Sequence, residues 1–468
     1  MNNKLTESQM NALQRICSPE FVFTDHETLL KYGSDETENL NFPPWIVVKP
    51  ANTGQISKIM KMASDNKIPV VPIGARTGLS GGALSVCGGI GLSLERLNKI
   101  IEIDEKNLQV TVEPGVITQV LQDAVIEKGL FYPPDPGSRG SCFIGGNIAE
   151  NSGGPRAVKY GVTKDYVLNL EVVLPSGEII HTGANTLKNS TGYNLTQLMV
   201  GSEGTLGIIT KIVLKLIPYP SKNILLLVPF QSAQKAIEAV AAVFHAGITP
   251  SALEFMERDA IEWTKKYIPD IQVEVPENTE AFLFIETDGN HDEILVRDAE
   301  KIAEVMSHFE CGEILFADSH EQKEMLWKMR RKVGEAVKAH SVYKEEDTVV
   351  PRYYLPQLLK GVKEIGNKYG FKSVCYGHTG DGNLHVNIIK DDMSDTDWNE
   401  KLPEGIREIF KLTVSLGGTI SGEHGIGWVQ KNYMPVAFTK TEIELMKKIK
   451  SVFDPFNILN PSKIFPDE

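Results

Sequence analysis

Cysteine is scarce in this chain: five in 468 residues, at 17, 87, 142, 311 and 375, with no CxxC pair. An odd set without that spacing supports neither a disulfide framework nor a four-cysteine zinc site. It also leaves no ligand set for an iron–sulfur cluster of the chain's own. No GxGxxG follows a strand-like run, GxxxxGK[ST] is missing, and the dipeptide Gly-Lys never occurs. Rossmann and P-loop nucleotide binding thereby lose their usual support. No apolar run approaches the ~18 residues of a membrane span; Ile224–Phe230 is among the longest. The opening Met1-Asn-Asn-Lys-Leu-Thr-Glu lacks the apolar core of a signal peptide, so a cytoplasmic protein is expected. Basic residues are outnumbered, 48 Lys+Arg to 61 Asp+Glu, for a net charge of −13. That balance argues against a nucleic-acid footprint and against adsorption to anionic lipid. Neither an internal repeat nor a low-complexity tract is evident.

What is present reads as two domains meeting near Pro218–Ser221. Residues 3–31 carry helical apolar stripes, starting with Leu5, Met10, Leu13 and Ile16. Short strands at 45–49, 70–73, 90–94 and 108–112 alternate with helices at 53–66 and 118–128. A hairpin at 168–174 and 178–181 and a strand at 205–217 complete the first part. Beyond Pro220 the order strand 222–229, helix 233–246, strands 252–256 and 281–287, helix 293–308 predicts a split βαβ, ferredoxin-like sheet. Helices at 321–339 and 355–368 and strands at 373–376 and 385–390 follow.

Forty glycines barely exceed the about 33 expected at ~7% usage, but they cluster. Pro72-Ile-Gly74-Ala75-Arg76-Thr77-Gly78-Leu-Ser80-Gly81-Gly82 leaves a buried strand. Such a loop can present successive backbone N–H groups to a pyrophosphate; an ordinary loop is the competing reading. A second block runs from Pro133 to Gly161, and a third is Gly201-Ser-Glu-Gly-Thr-Leu-Gly207-Ile-Ile209. A different constellation is His378-Thr-Gly-Asp-Gly-Asn-Leu-His385 with Ser421-Gly-Glu423-His424-Gly. Two imidazoles and a carboxylate make a common three-ligand set for a divalent metal, whereas a lone histidine is more often a satisfied core or surface residue.

The three glycine blocks closely resemble the FAD-binding domain of the vanillyl-alcohol oxidase/p-cresol methylhydroxylase superfamily. The likeness is strongest to its D-2-hydroxy-acid dehydrogenase branch, which includes glycolate oxidase FAD subunits, D-lactate and D-2-hydroxyglutarate dehydrogenases. It covers roughly residues 40–468. The resemblance implies an α+β fold: a two-subdomain PCMH-type FAD-binding domain (1–220), a ferredoxin-like antiparallel cap or substrate domain (221–430), and C-terminal helix and tail (431–468) returning to the first.

By the same resemblance, Gly74, Ala75, Arg76, Thr77, Gly78, Ser80 and Gly81 wrap the FAD pyrophosphate. Pro134, Asp135, Ser138, Ser141, Cys142, Gly145, Asn147, Asn151 and Gly153 run along the flavin and ribityl chain. Glu203, Gly207 and Ile209 take the adenosine side, and Asn460 joins the cofactor set. The first loop has no His or Cys, so non-covalent FAD is expected; Cys142, although in a flavin-proximal segment, reads more readily as a small buried apolar residue. His378, His385 and Glu423 would bind Zn²⁺, or Mn²⁺ or Fe²⁺, and His424 would be the base. Arg330, Lys344 and Asn387 would hold the substrate, although without the resemblance Arg330 reads as a surface charge among Lys328, Arg331 and Lys332. A Thr of 2-hydroxyglutarate enzymes is Gly334 here, and Asp347-Thr-Val-Val-Pro351-Arg352 looks more like the glycolate/lactate subunits.

The implied activity is oxidation of a D-2-hydroxy acid to the 2-oxo acid. Electrons would pass to a quinone, cytochrome, electron-transfer flavoprotein or iron–sulfur subunit. A homodimer and peripheral attachment to the inner face of a membrane through a partner stay open. So do two alternatives: an FAD enzyme of another alcohol, including an alkylglycerone-phosphate synthase-like one, and a non-catalytic FAD subunit of an electron-transfer complex.

Overall fold

The N-terminal stripe folds as two helices rather than one. Thr6 and Gln9 form a reciprocal cap on helix Glu7–Cys17, satisfying orphan N–H groups. Ser18 then takes φ +67°, Pro19 opens a 3₁₀ turn, and the chain passes through strand Val22–Phe23 to helix His26–Lys31. A residue in the left-handed region followed by proline ends a helix whatever the apolar spacing beyond it. The computed structural model describes residues 5–37, 40–317 and 319–467, so residues 3 and 4 of the expected helix lie outside it.

The described residues form two units. The first comprises residues up to Ser152, Val162–Tyr219 and Glu423 onward; the second comprises Gly153–Gly161 and Pro220–Gly422. The junction expected at residue 430 thus falls between Gly422 and Glu423.

In the first unit, strands Ile46–Val48, Ile90–Ser93 and Val70–Ile73 run parallel, with Val22–Phe23 antiparallel on the outer side of Ile46–Val48. Helix Thr53–Asn66 makes the crossover and buries Ile56, Ile59, Met60 and Ala63. Val70–Ile73 is the edge strand, where Pro72 removes no ladder bond from a neighbour. Its carboxyl end delivers the first glycine loop. A five-stranded antiparallel sheet runs Ile100–Asp104, Gln109–Val112, Ile208–Lys215, Val167–Val173, Ile179–His181. The strand expected over 205–217 is shorter, because Ile217–Pro218 leaves to pair with Leu130–Phe131.

The second unit is built on one seven-stranded antiparallel sheet. Its first four strands in chain order are Lys222–Phe230, Ala252–Glu257, Ala281–Gly289 and Leu315–Ala317. They lie in spatial order 4-1-3-2, with helices Ala233–His245 and Asp292–Ser307 after the first and third. That is the split βαβ arrangement. Tyr343–Val349, helix Leu355–Tyr369, Lys372–Gly377, Asn383–Ile389 and helix Leu402–Ser415 then repeat it. A bridge from Thr419 to Val349 stands where the fourth strand would be. The second strands of the two halves meet at the seam, with Phe255 opposite Gly377 and Met256 opposite Tyr376. The sequence shows no repeat, yet the topology is duplicated. The helix expected over 321–339 breaks at Lys332 (φ −95°, ψ 4°) into His320–Arg331 and Val333–His340.

The tail is tied to the first unit by a buried ion pair. Lys450 Nζ donates to Thr205 O (2.7 Å), Leu459 O (2.8 Å) and Asp454 Oδ2 (2.5 Å). Removing one partner of such a pair leaves an uncompensated charge and costs about 3–5 kcal/mol. Lys450→Met should therefore lower the thermal midpoint by on the order of 5–10 °C. An unchanged melting curve by circular dichroism would refute the tie.

Candidate functional site

The glycine loops of the first unit turn backbone toward open space. A Cβ built on Gly78, Gly137 or Gly146 meets nothing within 4 Å, and one on Gly74 meets only Gly146 Cα at 3.9 Å. Many polar side chains around them are already engaged by the protein. Arg76 (φ +62°) donates to Lys31 O and stacks on Tyr32. Asp135 pairs with Arg139 at 3.0 Å, Asn147 Nδ2 donates to Thr118 Oγ1, and Asn151 Oδ1 accepts Lys164 N. Asn460 Nδ2 bridges Gly82 O and Glu203 O, tying two glycine loops together. The buried Cys142 thiol rests 3.3 Å from Thr118 Oγ1, and burial raises its pKa. Gly207 serves packing, since a Cβ there would strike Val172. Gly153 falls in the segment grouped with the second unit. The cradle is thus made of backbone, held in shape by these side chains.

Glu203 does something the sequence does not suggest. Its Oε1 accepts Ile426 N (2.8 Å) and its Oε2 accepts Gly427 N (2.7 Å), so the carboxylate grips the chain just past His424. Beside Gly425 also lies Glu150, whose buried Oε2 has no hydrogen-bond partner. Burial, with the charges of Glu203 and Asp35, pushes the Glu150 carboxyl well above the ordinary range. Burial also raises Glu203 and Asp35, and it pushes the nearby Lys463 down to about 8.

In the second unit, one sheet face carries the polar residues. Side chains alternate along a strand, and the register sets Glu345 opposite Asn387, Asp347 opposite His385, and Tyr376 opposite His385. Glu254 lies on the same face, two residues before Met256, which faces Tyr376. His378 Nδ1 is 2.7 Å from Glu254 Oε2 and 2.9 Å from Oε1. The same Oε2 accepts Arg330 Nε at 2.7 Å and lies 2.6 Å from Nη2. His385 Nδ1 lies 3.1 Å from Glu345 Oε1. The two imidazoles are 5.3 Å apart, nearly perpendicular. Since a carboxylate only accepts, Nδ1 of His378 carries the hydrogen and the ring's lone pair sits on Nε2. A carboxylate behind a ring nitrogen is the usual support of a metal-ligating histidine, so this pair fits a divalent ion. Asn387 is fully buried, with neither amide atom in a hydrogen bond.

Lys344 is not on this face. It pairs with Ile388 and sends its ammonium to within 5.3 Å of the Trp398 ring centroid. Strand alternation, a one-residue difference, puts Glu345 at the position expected for Lys344. Arg330 is buried, not a surface charge. Asp347, Glu254, Glu345 and Glu150 are the residues that sequence reasoning missed. A lone carboxylate in an apolar strand such as Ala252-Leu-Glu-Phe-Met256 is the one signal that could have found Glu254. Asp347 pins the segment entering the Glu423-His424 pair: it accepts from Ser421 Oγ (3.0 Å) and Gly422 N (2.8 Å), and from Asn383 Nδ2 (2.7 Å). Gly382 (φ +93°) makes the His378–His385 turn possible, because a Cβ there would drive into Val350 O.

Residues 219–464 match the family described as FAD linked oxidases, C-terminal domain, and residues 44–183 match the FAD binding domain family. The glycolate oxidase subunit GlcD of Bacillus subtilis (strain 168) is 40% identical over 464 residues, 98% of this chain and 97% of its own. D-lactate dehydrogenase of Anaerostipes hadrus is 37% identical, covering 99% and 98%. D-2-hydroxyglutarate dehydrogenase of Stutzerimonas stutzeri (strain A1501) is 34% identical, covering 97% and 98%. Among solved structures, p-cresol methylhydroxylase with substrate bound superposes with a TM-score of 0.80 at 18% identity, covering 99% and 98%. That last likeness is one of fold.

A carboxyl whose pKa is raised by folding binds protons that the unfolded chain releases, so stability falls as pH rises from the ordinary carboxylate value toward the raised one. Glu150→Gln removes this penalty. With FAD saturating, the variant should match the parent near pH 5 and exceed it at pH 8 by roughly 1–3 kcal/mol. Parallel midpoint-against-pH curves for the two chains would contradict the assignment.

Proposed function

The chain belongs to the FAD-linked oxidase family, and we propose that it oxidises a D-2-hydroxy acid of the lactate or glycolate kind to the 2-oxo acid. The observation that carries this reading is the pair His378 and His385, the first hydrogen-bonded to the buried Glu254 and the second 3.1 Å from the half-buried Glu345, with the Arg330 guanidinium beside Glu254. Such a face offers metal donors to a hydroxyl and a cation to the neighbouring carboxylate. Full-length likeness to proteins named glycolate oxidase subunit and D-lactate dehydrogenase supports the same activity.

Backbone at Gly74–Gly78, 137–147 and 201–207 holds the non-covalent cofactor in this reading. When bound, FAD supplies the acceptor for a hydride from C2, and a divalent ion, Zn²⁺ or Mn²⁺ or Fe²⁺, supplies a Lewis acid for the hydroxyl. His378 and His385 take that ion with Glu423 as third ligand. His424 removes the hydroxyl proton, a task suited to an imidazole near its working pH. Arg330 orients the substrate carboxylate, and the buried amide of Asn387 reaches the substrate's oxygens. Loss of one proton and one hydride leaves the 2-oxo acid. The two electrons then pass to a quinone, cytochrome, electron-transfer flavoprotein or iron–sulfur partner. No helix among the described residues is long and apolar enough to cross a membrane; a cytoplasmic enzyme meeting its acceptor through a partner fits this scheme.

Anaerobic mixing with D-lactate or glycolate should bleach the flavin of the purified protein, while L-lactate leaves it oxidised. Dialysis against EDTA should slow the bleaching and Zn²⁺ restore it. His424→Asn should keep FAD and reduce the rate by roughly 10²–10⁴. Bleaching by none of the acids, or a His424→Asn variant as fast as the parent, sinks the proposal.

A further inference from the structure

We propose that Glu254 is a positioning residue that locks the metal-holding and carboxylate-holding halves of the site to each other, an inference that rests on the function proposed above. Glu254 is the third residue of strand Ala252–Glu257 and is fully buried. It stands at the seam of the duplicated sheet, so it comes from the first half while His378 and His385 come from the second. One oxygen, Oε2, serves both tasks: it receives His378 Nδ1 at 2.7 Å and Arg330 through Nε at 2.7 Å, with Nη2 2.6 Å away.

Two consequences follow from the chemistry of those bonds. Accepting from Nδ1 holds His378 in the tautomer whose lone pair is on Nε2, the form that can ligate an ion. Taking the Nε side of the guanidinium fixes its plane and turns the Nη1 side toward a ligand carboxylate. Because both depend on one carboxylate, with His378 Nδ1 also 2.9 Å from Oε1, the distance from Lewis acid to carboxylate clamp is set by a single strand residue. A neutral amide cannot reproduce this arrangement. Glu254→Gln has one accepting oxygen: with it in the Oε2 place the NH₂ takes the Oε1 place, 2.9 Å from the His378 Nδ1 donor, and with the amide flipped the NH₂ faces both His378 and Arg330.

The experiment pairs two readouts on FAD-loaded protein: Zn²⁺ affinity by competition with a chromophoric chelator, without substrate, and KM against kcat for D-lactate. Glu254→Gln should weaken Zn²⁺ binding 10–100-fold and raise KM at least tenfold, with FAD content unchanged. Glu254→Asp keeps the charge but shortens the reach; it should show both losses to a smaller degree, and it decides the matter should the Gln variant fail to fold. A parent chain that binds Zn²⁺ and is reduced by D-lactate, beside variants that match it in both readouts, overturns the role of Glu254 alone. A parent that does neither overturns the proposed function and this inference with it.

Discussion

A carboxylate without water must find its counter-charges within the protein, and Glu254 finds them in groups distant along the chain. Arg330 lies 76 residues away on a helix, and His378 lies 124 residues away at the mouth of a hairpin. His378 cannot meet Glu254 until the two half-sheets have paired along Ala252–Glu257 and Lys372–Gly377. The helix bearing Arg330 must also have packed, burying Leu326, Trp327 and Met329. The same face holds Glu345, Asp347, His385 and Asn387, all on the two strands beyond the seam. A row of buried polar groups on a sheet destabilises unless they are answered; Glu254 and Asp347 are answered within the second unit, whereas the Asn387 amide is not.

The first unit solves a different problem. In the proposed function a large planar, charged cofactor would be met by backbone, which requires glycine at the approach and side chains that hold the loops open. Arg76, Asn147, Asn151 and Asn460 bond inward to protein groups, so they shape the cradle rather than line it with side-chain donors. Glu203 belongs to this set. Its two oxygens are spent on consecutive amides, Ile426 and Gly427, which stiffens the loop that carries His424. Beside the same loop the buried Glu150 Oε2 has no hydrogen-bond partner, and neither has Asn460 Oδ1.

What was legible in the sequence follows from this division. Glycine clusters announce backbone that must approach something, so the cradle and the His378–His385 turn could be located from spacing alone. The α+β class and the first ferredoxin-like order were legible because apolar runs of strand length alternate with 3.6-periodic segments. In the second half-sheet the strands at 373–376 and 385–390 were legible, but Tyr343–Val349 was not, since its Lys, Glu and Asp mask an apolar pattern. Lys344 shows the cost of a one-residue ambiguity: Tyr-Lys-Glu-Glu-Asp gives no clue to which parity faces the site, and only the ladder with Asn387 and His385 decides it. In sequence, Arg330 is one charge among four on a helix. Its burial depends on Glu254, which no local pattern links to it.

The adjacent pair Glu423-His424 shows why anchors matter as much as the reacting groups. Asp347 holds the chain at Ser421 and Gly422, and Glu203 holds it at Ile426 and Gly427. Only three residues lie between, of which Gly425 (φ +75°) is the one without a side chain. Each peptide plane is rigid and each residue has two soft dihedrals, so each anchor removes freedom from the residues next to it within its own unit. In the proposed reaction, a base and a ligand beside such anchors lose part of their freedom on folding rather than in each turnover. The two carboxylates that achieve this touch neither substrate nor flavin in the proposed reaction. Their contribution lies in the freedom they remove.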